Sequence, residues 1–286
     1  MPSPNQIIVS PVSGFRQQSL FIKLPRLLYD GLSGYVPPLD MESRGLLSPS
    51  KAPFFEHGFA CYFLAWRDGK PVGRISAHID AFALKQEGPR TGFFGALDTA
   101  EPECVGPLIE AAEHWLKLRG IERVRGPWTL NSNGQSGVMI EGQNEIPMIG
   151  TPWHPVSLGH AVEQAGYTKA MDLLSYRMET GSAAERANIL PFNVRERMGN
   201  ITMRGLRMDH VAEDAEILRE IYNDAWDGTG GNIRLTAKEV QSLLKELKPG
   251  QRQEQYVLAE VDGEPAVIAR VGAKMCDGCG DLGGGS

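Results

Sequence analysis

The sequence predicts an α+β protein built on a mixed, mainly antiparallel sheet flanked by helices, duplicated along the chain with the second copy truncated. Three observations carry that reading. Leu64-Ala65-Trp66-Arg67-Asp68-Gly69-Lys70-Pro71 returns as Leu258-Ala259-Glu260-Val261-Asp262-Gly263-Glu264-Pro265, the same L-A-x-x-D-G-x-P frame. Asp-Gly between two β-rich runs supplies the positive φ of a tight hairpin turn, so each copy reads as a hairpin. A strand-like run also opens at the same distance before each copy, at Ile7 and at Ile201, with amphipathic helical sequence between, and such matched spacing marks a repeat of domains. After the first hairpin, a strand, a helix and another strand follow, the order that brings a parallel pair into a sheet begun as an antiparallel hairpin.

Composition bounds the partners. The chain has 286 residues, of which 42% are hydrophobic, enough for one large or two medium domains with ordinary cores. A net charge of −6 argues against nucleic acid as a partner, since duplex phosphates call for a basic face. Met1 to Gln6 is polar, without a secretory pattern, and no apolar run approaches the roughly 20 residues that span a bilayer; the expectation is a cytoplasmic protein with no membrane partner. Cys61 and Cys104 sit in apolar segments as small core residues, and Cys276-x-x-Cys279 is a lone pair without further ligands, so no metal is expected.

The first lobe, residues 1–180, opens with a strand around Ile7 to Val12. A helical stretch with Leu20, Phe21, Leu24, Leu27 and Leu28 follows, limited by Pro25, and then an irregular connection from Tyr35 to Phe55. The hairpin comprises Cys61 to Trp66 and Val72 to Ile79, with Gly92 to Leu97 as a third strand. Val105, Leu108, Ile109, Ala112, Trp115 and Leu116 give one apolar face to a helix from Pro102 to Leu118, which places Glu110 and His114 outward and pairs Glu113 with Lys117. A strand from Val124 to Leu130, a helix from Val156 to Gln164 and a strand-like tail from Tyr167 to Met178 complete the lobe. Residues 181–199 read as a linker.

Residues 200–272 read as the N-terminal half of a second lobe. It has a strand at Ile201, a helix with Leu218, Ile221, Tyr222 and Ala225, and a helix opened by a Thr236/Glu239 capping box with Val240, Leu243, Leu244 and Leu247 buried. The hairpin Tyr256 to Val271 follows, and residues 273–286 form a Gly-rich tail. Exposed hairpin edges favour self-association. No Gly-x-Ser-x-Gly, Walker loop, His-Glu-x-x-His or dinucleotide Gly-x-Gly-x-x-Gly is present. Glu103, Glu110 and Glu113 do not form the Arg-Glu-x-x-Glu-Glu array of a Nudix hydrolase. The loop Asn131 to Gly137 follows the carboxyl end of a strand, where open α/β sheets bind ligands, so Asn131 and Asn133 are candidate binding residues.

The element order, together with Pro53-Phe54-Phe55-Glu56-His57, Arg67 to Ile75, Gly92-Phe93-Phe94-Gly95, Arg125-Gly126-Pro127 and Gly166-Tyr167, resembles the Gcn5-related N-acetyltransferase (GNAT) superfamily. Within it, the chain is similar to a poorly characterised bacterial family of long, two-lobed members. The resemblance implies acetyl-CoA or another acyl-CoA as cofactor, an amine or other small molecule as acceptor, and cofactor contacts at Phe94, Val105 and Gly106. It also implies a general base, for which Glu141 and His57 are the candidates beside His78, and a general acid, for which Tyr167 stands in because Val162 occupies the usual position.

Against that, only Gly106 matches the family's phosphate loop. Glu103 brings negative charge, and Pro107 lacks the N–H that would meet a phosphate. The alternative is a non-catalytic GNAT-like module that binds a ligand or a partner.

Overall fold

The structure, a computed structural model, describes residues 5–38, 43–45, 47–130, 134–147, 151–176, 200–207, 209–227, 233–247 and 256–270. The chain divides into two compact units, Met1–Asp172 with Gly228–Arg234, and Leu173–Asp227 with Leu235–Ser286. The expected linker at 181–199, the tail at 273–286 and Cys276-x-x-Cys279 lie outside the described residues.

In the first unit, strands β1 (Ile7–Pro11), β2 (Gly58–Arg67), β3 (Lys70–Asp80), β4 (Thr91–Thr99) and β5 (Arg123–Arg125) form one sheet in the order β1-β2-β3-β4-β5. The first three pairings are antiparallel, and β4 with β5 is parallel, so the sheet is mixed as expected. Helices α1 (Gly14–Tyr29), α2 (Ala81–Glu87), α3 (Val105–Lys117) and α4 (Val156–Gln164) flank it. One face packs Ile75, Ala77, Ile79 and Phe94 against Val105, Leu108, Ile109, Ala112 and Leu116 of α3 and Leu158, Ala161 and Val162 of α4. The other face packs Leu64 and Ala96 against Phe21 and Leu24 of α1.

Four details depart from the expectations. First, α1 continues through Pro25 instead of ending there. Proline cannot donate to the carbonyl four residues earlier, but that carbonyl, of Phe21, accepts from Nη1 of Arg74 at 2.7 Å, so no acceptor is orphaned. Second, β5 stops at Arg125, because Pro127 has no N–H to continue a ladder. The chain still follows β4: the Trp128 N–H donates to the Phe94 carbonyl at 2.7 Å, and Thr129 Oγ1 accepts from the Ala96 N–H at 3.2 Å. Third, Glu113 of α3 accepts from Tyr167 rather than standing in an outward pair with Lys117. Fourth, Tyr167 to Tyr176 forms no strand and, beyond Tyr167, is exposed.

The second unit has β6 (Ile201–Gly205), α5 (Val211–Ala225), α6 (Ala237–Leu247), β7 (Tyr256–Val261) and β8 (Glu264–Arg270), with the sheet order β6-β7-β8. Leu206, Ala215, Leu218, Val240 and Leu244 form its core. The capping box is present: the Glu239 N–H donates to Thr236 Oγ1 at 3.2 Å and the Thr236 N–H to Glu239 Oε2 at 2.8 Å.

The repeat extends to side chains. Asp68 and Gly69 have φ of 49° and 76°, and Asp262 and Gly263 have 53° and 88°, the positive values a type I′ turn needs. Asp68 Oδ1 accepts from the Asn5 N–H at 3.3 Å, and Asp262 Oδ1 accepts from the Asn200 N–H at 3.0 Å. Each second strand also carries a register shift at the matching place, Ala65/Trp66 and Ala259/Glu260.

Candidate functional site

Strand β3 alternates between two chemistries. Ile75, Ala77 and Ile79 point into the core under α3, so Arg74, Ser76, His78 and Asp80 point to the opposite face. All four polar residues are buried, the last three completely. Burying a row of polar groups is costly unless each finds a partner, and this row is satisfied only at its two ends.

At one end, Arg74 Nε donates to Asp98 Oδ2 at 2.7 Å while its Nη1 serves α1. At the other end, Asp80 Oδ1 accepts from the N–H groups of Phe82 at 2.8 Å and Ala83 at 3.4 Å, capping α2. The same oxygen lies 3.0 Å from Nδ1 of His57. A carboxylate there selects the tautomer protonated on Nδ1, so the lone pair of the ring lies on Nε2. His57 follows the short 3-10 helix Pro53–Glu56, and its own carbonyl accepts from the Ala81 N–H at 2.9 Å, which ties it to the start of α2. Its ring lies 4.5 Å from that of Phe82 and its side chain is 7% exposed.

Along the row, Ser76 Oγ, both ring nitrogens of His78 and the second oxygen of Asp80, Oδ2, have no hydrogen-bond partner among the described residues. His78 lies between aromatic rings, edge-on to Phe54 at 5.7 Å and stacked on Phe93 at 5.5 Å. Phe93 stacks in turn on Trp128 at 4.8 Å, with the Arg125 guanidinium 5.3 Å from the Trp128 ring. Burial pushes the His78 imidazole down to about 3, so it is neutral across the working pH range. Orphaned polar atoms in a buried row cost about 1–3 kcal/mol each, which makes this row a candidate site.

The other sequence candidates are not gathered here. Tyr167 packs edge-on against Phe94 at 5.2 Å on the α3 side of the sheet, and its hydroxyl donates to Glu113 Oε1 at 2.7 Å. Burial, followed by the bond to Glu113, raises its phenol well above the usual range, against a role as proton donor. Glu141 is exposed in the loop before α4. Phe94 and Val105 are buried in the core, and a Cβ at Gly106 would meet open space. Asn131 and Asn133 lie outside the described residues. Glu110 and His114 point outward, as the helix period requires.

Sequence reasoning singled out His57 and His78 but missed Ser76 and Asp80. The signal was present as period-two polarity in Arg74-Ile75-Ser76-Ala77-His78-Ile79-Asp80.

The start of α3 does not fit the pyrophosphate of coenzyme A. Arg67 Nη2 is 3.1 Å from both Glu101 Oε2 and Glu103 Oε1, the Val105 N–H is taken by the Pro102 carbonyl, and Pro107 has none. Bonding to Glu103 in turn raises the Arg67 guanidinium, and the turn carries two carboxylates where an anion would need donors. Among the described residues, no group of three or more His, Cys, Asp or Glu side chains could hold a metal ion.

A strand, a helix, an antiparallel hairpin, a third strand, a long helix, a parallel strand and a last helix make the first unit a GNAT-like lobe, and the second unit repeats its opening half. No family model matches the chain. It is 36% identical over 264 residues to the bacterial ceramide synthase of Caulobacter vibrioides, covering 91% of this chain and 68% of that protein. It is 34% identical over 257 residues to protein YghO of Escherichia coli, covering 87% of this chain and 63% of that one. The chain belongs to the family of this bacterial ceramide synthase and spans about two thirds of the length of these curated relatives.

Among solved structures, a tandem GNAT protein from the clavulanic acid biosynthesis pathway aligns with a TM-score of 0.45 at 12% identity, over 94% of this chain and 76% of its own. An aminoglycoside acetyltransferase from an uncultured soil sample aligns with a TM-score of 0.34 at 11% identity, over 61% and 96%.

Proposed function

We propose that this chain is part of an N-acyltransferase that joins an acyl group to a primary amine, with a long-chain amino alcohol as the acceptor class and acyl-coenzyme A as the donor. A ceramide is the N-acyl derivative of such an amino alcohol, and kinship with the bacterial ceramide synthase supports the class. The observation that carries the reading within this chain is the His57–Asp80 pair at 3.0 Å, on a completely buried carboxylate. As the amine nitrogen bonds to the thioester carbonyl carbon, the C–S bond breaks and its electron pair leaves on the sulfur of coenzyme A. The amine must lose a proton, which the departing thiolate can take up from the imidazolium or from water. Asp80 orients the His57 ring and stabilises the imidazolium that results; Nε2 is buried, so it takes that proton from an amine that enters by displacing the side chains around it. Because the start of α3 does not fit pyrophosphate, no contact with the donor is assigned to it.

A second reading, a GNAT-like module without catalysis, is favoured by the closure of that turn by Arg67, Glu101 and Glu103. The experiment that separates the two incubates the purified protein with acyl-coenzyme A and a long-chain amino alcohol, and follows the amide by mass spectrometry. Amide formation that falls on the order of 100-fold or more in His57→Gln supports the first reading. No amide from the family's full-length protein supports the second, and wild-type rates in His57→Gln remove His57 as the base.

A further inference from the structure

The first acidic residue after Met1 is Asp30, although the chain holds 35 acidic residues and a net charge of −6. Within that acid-free stretch lies α1, with Arg16, Lys23 and Arg26. At 100° per residue, Phe15, Arg16, Lys23, Arg26 and Leu27 fall within about 120° of one another, and all five are exposed. The opposite side of the helix, with Phe21, Ile22, Leu24, Pro25 and Tyr29, is buried. Phe15 is 73% exposed and Leu27 is 64% exposed, one on each flank of the cations.

On the Phe15 flank, this face runs into a groove of about 290 Å³ lined by Val12, Phe15, Phe21, Ile22, Leu47 and Tyr62, with Arg44 and Lys51 adding two more cations to its wall. The Arg44 guanidinium lies 5.7 Å from the Phe15 ring and donates to Ser19 at 3.0 Å, so the helix face and the groove are continuous.

We propose that the outer face of α1 and the adjoining groove are a docking surface for a membrane that exposes anionic lipid headgroups. Cations alone would suit any polyanion. Two large apolar side chains standing among them gain free energy only in a partner that is anionic at its surface and apolar just beneath, and a lipid leaflet is such a partner. No described helix is long and apolar enough to cross a membrane, and the contact proposed is a peripheral one, made by the outer face of α1. It replaces the expectation of no membrane partner, which rested on a polar N-terminus and the lack of a bilayer-spanning apolar run and so did not bear on surface contact. The three cations of α1 and the two at the groove act locally, while the −6 is spread over the whole chain. The inference does not depend on catalysis.

Sedimentation of the purified chain with vesicles tests it. At low salt the protein is expected to bind vesicles of phosphatidylglycerol mixed with phosphatidylcholine, to leave pure phosphatidylcholine vesicles unbound, and to be released as NaCl rises. Arg16→Gln with Lys23→Gln should weaken partitioning roughly 25-fold, at about fivefold for each cation. Phe15→Ser should weaken it at every salt concentration without changing the salt dependence. These positions are exposed, and an unchanged circular dichroism melt verifies that the variants fold. Equal binding to both kinds of vesicle, no binding to either, wild-type partitioning of the double variant, or binding to polyglutamate as tight as to anionic vesicles would each overturn the proposal.

Discussion

The Phe21 carbonyl, which Pro25 leaves without a helical donor, accepts from the Arg74 guanidinium at 2.7 Å. Arg74 at the same time donates to Asp98 at 2.7 Å and lies 4.9 Å from the Phe21 ring. One side chain on β3 therefore completes a helix, neutralises a buried acid on β4 and packs α1 to the sheet. Arg74→Met should destabilise the first unit by about 3–5 kcal/mol, since it strands the Asp98 charge and the Phe21 carbonyl together. Pro25→Ala restores an N–H for Phe21, so denaturant melts should show Arg74→Met costing about 1 kcal/mol less in the Pro25→Ala background. Additive effects would show that Arg74 does not substitute for the missing donor.

Ser76 and His78 give a prediction of the opposite sign. Their polar atoms are buried without partners, so removing them should relieve a cost. Ser76→Ala and His78→Phe should each raise stability by about 1 kcal/mol, or 2–4 °C in melting temperature. If the row serves the acyl transfer, activity falls in the same variants. Neutral or lower stability would mean that the orphaned atoms are satisfied in solution.

Asp214 in the second unit is completely buried and holds the guanidinium groups of Arg204 and Arg207 at 2.9 and 2.8 Å. Burial pushes its carboxyl up, but the bonds from Arg204 and Arg207 outweigh that and bring it down to about 2. The folded value lies below the ordinary 3.8, so its contribution is fully present above pH 4 and is lost as pH falls through about 2. The stabilisation is about 2 kcal/mol. Hydrogen exchange at α5 should lose protection over that window, and Asp214→Asn should flatten the dependence. An unchanged acid profile in the variant would exclude this group as its source.

Gly95 of β4 is pressed against the backbone after β5. A Cβ there would stand 1.8 Å from the Trp128 carbonyl oxygen, an atom with no side-chain freedom to move away. Gly95→Ala should cost more than about 3 kcal/mol, the upper end for ordinary overpacking, and should detach Trp128 from Phe93, visible as a red shift in tryptophan emission. Gly106→Ala, where a Cβ meets open space, is the control and should be near neutral.

How much was legible in the sequence follows the range of the forces. The hairpins, α3 and the capping box were readable because a positive-φ turn, an apolar stripe or a reciprocal cap is decided within a few residues. The extent of β5 was not, because it depends on how Pro127 meets a neighbouring strand. Neither was Asn223, a residue ordinarily exposed, which is buried because its amide clamps the Leu235 backbone from twelve residues away, at 2.8 and 3.0 Å.

For the candidate site the division is sharper. The sequence by itself determined the duplication, since Asp68-Gly69 and Asp262-Gly263 need only local backbone preference, and it supplied the period-two row Arg74, Ser76, His78, Asp80 and the acid-free stretch before Asp30. Only the tertiary structure decided that Asp80, after capping α2, has His57 within 3.0 Å, and that Tyr167 belongs to the other face of the sheet. It also decided that Arg74 takes the carbonyl Pro25 leaves, so that α1 runs on and turns Phe15, Lys23 and Leu27 outward together. The physical reason is common to these cases. Each is a contact between residues far apart in sequence, whose partner is chosen by strand register and helix packing and not by neighbouring residues.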